Sequence, residues 1–162
     1  MNNTIKTPID ICNLALKKLG EPFPISFMSP NGFLPERMCY LNYHPTRREV
    51  LMTNRWRFAT RTVKLKAETE SNGVYGFSLP MDCLWVWEAS CPEVMVRGRE
   101  LFCDKPEITL VYCADIEDVT KFDQYFIKAF ATRLACKLCK PLLNSTKMQP
   151  LLDNEYNNTI NR

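Results

Sequence analysis

Residues 47–66 read RREVLMTNRWRFATRTVKLK, and within this stretch the period of the apolar residues changes. Up to Leu51 the spacing is helical. From Val63 onward, Val63 and Leu65 alternate with Thr62, Lys64 and Lys66, as in a half-buried strand. Trp56 stands where one pattern gives way to the other. A ring of that size, with Phe58 two residues on, is predicted to anchor both kinds of structure. The chain therefore combines helices and strands, with the switch near residue 60.

Working back from the switch, a helix is predicted from Pro35 into the low fifties, with Tyr40, Tyr43, Val50 and Leu51 on its buried side. Pro45 lies inside that stretch and predicts a kink or a break near His44. Residues 20–34 form a loop rich in Pro and Gly. Before it, Thr7-Pro8-Ile9-Asp10 is a helix start: Thr7 caps, Pro8 fits the first position and Asp10 puts negative charge in the first turn. Cys12, Ala15, Leu16 and Leu19 follow helical spacing, and Asn13 and Lys17 share the other face. Gly20 is the expected stop, with Pro22 and Pro24 preventing continuation.

Working forward, Ser71-Asn72-Gly73 reads as a turn. Strands are expected at Tyr75–Phe77, Leu84–Ala89, Val94–Arg97, Glu100–Phe102 and Ile108–Cys113, with Gly98 closing a hairpin. Thr120 is then expected to cap a long helix over Lys121–Lys140 that Pro141 ends. Phe122, Phe126, Ile127, Phe130, Leu134 and Leu138 cover most of its circumference, which predicts a central buried helix anchored by Phe126 and Phe130. A last helix is expected near Lys147–Tyr156. The fold class that follows is α+β: a helical core of about four helices with an inserted small antiparallel β lobe. The expected divisions are N-terminal helices at 7–60, the lobe at 61–118, and C-terminal helices with a short tail at 119–162.

With 46% hydrophobic and 24% charged residues, the composition is that of an ordinary globular domain. No apolar run is long enough for a membrane span, and the polar start Met1–Lys6 predicts no secretory leader. The eight cysteines include Cys12, Cys83, Cys113 and Cys136 inside apolar patterns, so they are expected to be reduced, buried thiols. The net charge of +3 points to no acidic partner by itself. Its distribution is more telling. Arg47, Arg48, Arg55, Arg57, Arg61, Lys64 and Lys66 face a single acid, Glu49, and Arg133, Lys137 and Lys140 form a helical stripe. These basic residues are the candidates for contact with a partner or with DNA.

Catalytic signals are weak. His44 is the only histidine and Pro45 follows it. Cys136 and Cys139 spell CxxC, but late in a helix and with no companion pair. No phosphate loop, nucleophile elbow or zinc-protease motif is present. A non-enzymatic protein without cofactor or metal is expected. Two rivals remain at this level: a small nucleic-acid-binding module using residues 47–66, and a thiol or metal enzyme using Cys136, Cys139 and His44.

Four segments, in order, carry a resemblance. They are Ile11–Leu16 with Leu19-Gly20-Glu21-Pro22; Tyr43 with Arg47–Leu51 and Trp56–Arg61; Tyr75–Leu84; and Phe122–Leu138 with Pro141-Leu142. Their order and spacing extend the resemblance over nearly the whole chain, residues 9–156. In them the chain resembles the head-to-tail adaptor (connector) family of tailed phages, the family that includes tail tubular protein A. The resemblance implies one adaptor domain over 1–162 and a dodecameric ring at the head–tail junction of the virion, made in the bacterial host cytoplasm. It implies as partners the portal protein, the next tail or nozzle protein, and double-stranded DNA passing without sequence specificity. It implies no membrane, no cofactor and no catalytic residue.

Overall fold

A computed structural model describes residues 5–161; the polar start read at residues 1–4 and the terminal Arg162 lie outside them. The fold is α+β. It forms two compact units, one of the residues up to Asn54 and from Glu117 on, the other of Arg55–Ile116. The first is helical and the second is a β lobe inserted in its sequence.

In the helical unit, α1 spans Pro8–Lys18. Thr7 and Asp10 close a capping box: the Asp10 amide donates to Thr7 Oγ1 at 3.3 Å, and the Thr7 amide donates to Asp10 Oδ2 at 2.9 Å. At the other end Gly20 takes φ +79°, a left-handed conformation that side chains resist. Its N–H donates to the Lys17 carbonyl at 3.0 Å, and the Glu21 N–H donates to the Leu16 carbonyl at 3.1 Å. This pair satisfies two of the carbonyls that a helix end leaves open.

Helix α2 spans Leu34–Leu51. The expected break at Pro45 does not occur: the helix continues through it. Pro45 is exposed, so its ring meets water, while Tyr43, Val50 and Leu51 on the buried side hold both halves to the rest of the unit. Packing outweighs the local propensity. Tyr40, expected on the buried side, is instead 49% exposed, and Cys39 takes its place in the stripe Cys39, Tyr43, Thr46, Arg47, Val50.

Helix α3 spans Gln124–Leu143 and packs against α1, α2 and α4 (Gln149–Ile160). Its cap is Asp123, whose Oδ1 accepts from the Phe126 amide at 2.7 Å. Thr120, the expected cap, lies instead in a 3-10 turn over Val119–Lys121 that Asp118 caps. Pro141 does not end the helix, because only its own missing N–H is lost and the next two residues still continue the turn. The stop is Asn144 at φ +49°, whose amide donates to the Lys140 carbonyl at 2.8 Å. Phe126, Phe130, Leu134 and Leu138 are fully buried. The Phe130 ring lies 5.0 Å from Tyr43 and 5.7 Å from Phe126, and Phe122 lies 4.7 Å from Phe126. This aromatic cluster is the centre of the helical core. The end of α2 is tied to that of α4 by Asn54 Nδ2 donating to the Ile160 carbonyl at 2.7 Å.

The β lobe holds seven strands: β1 Thr60–Lys66, β2 Thr69–Ser71, β3 Val74–Ser78, β4 Cys83–Ala89, β5 Met95–Arg97, β6 Glu100–Cys103 and β7 Glu107–Ala114. They form two antiparallel sheets, ordered β1-β7-β4 and β2-β3-β6-β5. In the first, Val63 faces Leu110 and Leu65 faces Ile108, which puts these four apolar side chains on one face. Gly98 and Arg99 join β5 to β6, with Arg97 opposite Glu100. Gly98 has φ +60°, which the first position of such a two-residue turn requires. Strand β2 has no apolar residue and is wholly exposed, so nothing in its pattern announced it. Trp56 is buried, whereas Phe58, the other predicted anchor beside it, is only half-buried.

Candidate interaction surfaces

The basic run is divided between the two units. Arg47 and Arg48 belong to the helical unit, and Arg55 to Lys66 belong to the β lobe. Arg47 is fully buried, which corrects its reading as partner-facing. It lies four residues after Tyr43 and three before Val50, so helical spacing puts it on the core stripe. Its Nε donates to His44 Nδ1 at 3.2 Å, and its guanidinium is 3.6 Å from the Glu117 carboxylate. Within the lobe, Arg55 stacks 5.6 Å over the Trp87 ring and lies 3.6 Å from Glu88. Arg61 lies 3.6 Å from Asp82 and shares a sheet face with Val63 and Leu65, while Lys64 and Lys66 take the opposite face. Arg48, Arg57, Lys64 and Lys140 are exposed.

The stripe on α3 is also largely committed. Arg133 and Lys137 both reach Glu49 of α2, at 3.2 and 2.8 Å, and Arg133 lies 3.6 Å from Asp153 of α4. Acidic partners for Arg133 and Lys137 are therefore provided within their own unit. Burial pushes the Glu49 carboxyl up, but hydrogen bonds from Arg133 and Lys137, with their charges, outweigh it and hold the group below the usual glutamate range. Glu49, the lone acid of residues 47–66, is a clasp joining α2 to α3.

The CxxC pair is not a joint site. The Cys136 thiol donates to Asp153 Oδ1 and the Cys139 thiol donates to the Ser145 carbonyl, both at 3.4 Å. Burial, and then the bond to Asp153, pushes the Cys136 thiol up to about 12, far from the thiolate that ligation or nucleophilic attack needs. All eight cysteines are buried, free thiols. Among the described residues no group of three His, Cys, Asp or Glu side chains is placed to hold a metal ion, and no helix is long and apolar enough to cross a membrane.

The surfaces most out of keeping with a solvated exterior are apolar. In the helical unit, Phe23 and Phe33 are each 81% exposed and Leu41 is 54% exposed. The loop bearing Phe23 is fixed at both sides. The Gly20–Glu21 turn precedes it, and after it Asn13 brackets Ile25: Asn13 Nδ2 donates to the Ile25 carbonyl at 3.0 Å, and the Ile25 amide donates to Asn13 Oδ1 at 2.8 Å. In the lobe, Leu79, Leu84, Trp85, Val96 and Arg99 line an apolar cleft of about 320 Å³. Arg99 braces its wall by donating to the carbonyls of Cys83, at 2.7 Å, and Pro80. These features were invisible in the sequence, because a loop Phe and a strand Trp have no periodicity that marks them as exposed. No protein-family model and no curated protein matches this chain.

Proposed function

We propose that this chain is a structural subunit of a tailed-phage neck ring, which joins the portal vertex to the tail and lines the DNA exit channel without turnover of its own. The four ordered segments that resemble the adaptor family carry the reading. The physical support is the set of rigidly presented apolar side chains on the helical unit, together with an apolar cleft on the lobe. Large apolar side chains held far out into solvent suit contact with other macromolecules. Arg48, Arg57, Lys64 and Lys140 would meet partner surfaces or the backbone of passing DNA, with no means of reading bases.

The test is sedimentation of the purified chain with purified portal rings of its phage. Co-sedimentation in a fixed ratio per portal is the expected result. Failure to bind the portal, with salt-dependent binding to short duplex DNA instead, would favour a nucleic-acid-binding module.

A further inference from the structure

We propose that copies of this chain join head to tail, with Phe23 of one copy seated in the apolar cleft of the next copy's β lobe. The proposal rests on the ring reading for its setting, but it concerns a contact that the chain's own two surfaces define.

Phe23 is built as an anchor. Pro22 has its φ fixed by its ring, and Pro24 confines Phe23 to extended backbone. The helix-end turn at Gly20–Glu21 and the Asn13–Ile25 bracket fix the segment on both sides. The side chain so held is 81% exposed. A large ring presented at low entropic cost is the usual form of an interface hot spot.

The cleft has the complementary character. Leu84, Trp85 and Val96 supply apolar walls, and Trp85 and Val96 are 55% and 45% exposed. Its volume of about 320 Å³ admits a phenyl ring. The charges agree as well. Glu21 is the sole charged residue of 20–34 and sits two positions before Phe23. The cleft wall carries the Arg99 guanidinium, whose carbonyl partners leave its positive charge in place. Because the anchor and the cleft are different surfaces of one chain, the contact is heterologous and repeats from copy to copy, which is what a ring needs.

The experiment uses two charged variants, Phe23→Asp to disable the anchor and Val96→Asp to disable the cleft. Both positions are exposed, so both variants should melt as the parent does. In sedimentation velocity, the parent should associate as it is concentrated. Each variant alone should remain monomeric, with association weakened roughly 30-fold or more, as expected when a hot-spot aromatic is lost. An equimolar mixture has one intact joint, an unmodified anchor meeting an unmodified cleft, and should stop at a 1:1 heterodimer. Three results would each overturn the proposal: a parent that stays monomeric to its solubility limit, variants that associate as the parent does, or a mixture that yields no heterodimer. None of these removes the neck-ring reading, which portal co-sedimentation tests separately.

Discussion

Replacing Pro45 by alanine should stabilise the protein. Pro45 lies well inside the unbroken helix Leu34–Leu51, on its exposed side. There it supplies no N–H to the Leu41 carbonyl, and its ring crowds that same group. Proline in a helix interior costs about 3 kcal/mol relative to alanine. Against this, proline stiffens the unfolded chain, an advantage of at most about 1 kcal/mol that alanine gives up. The net gain is therefore about 2 kcal/mol. For a chain of this size it should raise the melting temperature by about 4–8 °C. Urea unfolding followed by far-ultraviolet circular dichroism should show a later midpoint with an unchanged slope. Pro45→Gly should gain about 1 kcal/mol less. A Pro45→Ala protein that melts at or below the parent temperature would refute the reasoning, because it would mean that the proline ring packs usefully or that the helix is interrupted in solution.

Phe130→Ala removes a fully buried ring from contact with Tyr43 and Phe126 and should cost about 3–5 kcal/mol, enough to lose much of the thermal transition. Asn13→Ala deletes both bonds to Ile25 and should speed amide hydrogen exchange at residue 25, while the exchange of α1 stays near that of the parent. The Glu49 carboxyl is depressed in the folded state, so its clasp is intact above the unfolded value of about 4.3 and is lost as pH falls through the lower folded value. Glu49→Gln should flatten that acid limb of the stability profile, and a limb of unchanged steepness would remove Glu49 from the account. The eight buried thiols should react slowly with a disulfide reagent in the native protein and all together after denaturation.

Where local chemistry decides structure, the sequence was informative. Thr7-Pro8-Ile9-Asp10 announced a capped start, Gly20 its stop, and Gly98 a hairpin, each because a single residue type satisfies a single backbone need. Where tertiary contact decides, it misled. Pro45 signals a break that packing overrides, Pro141 stands too near the end of α3 to cut it short, and Thr120 is displaced by Asp123 because the chain turns once more before α3 begins. The candidate surfaces were harder still. Arg47 could have been placed in the core, since it shares the stripe of Tyr43 and Val50. The pairing of Glu49 with Arg133 spans 84 residues, and no pattern along the chain encodes it. The loop bearing Phe23 folds back so that Ile25 meets Asn13 of α1, which only the three-dimensional arrangement reveals.

Under the neck-ring proposal, many copies of this chain stand in one ring at the head–tail junction. A cryo-electron-microscopy reconstruction of the neck of its phage particle tests it directly. The expected result is a closed ring directly below the portal, into whose density the helical unit and the β lobe of each copy fit as separate bodies. A neck without this chain, or the chain present only as closed two-fold dimers, would contradict it.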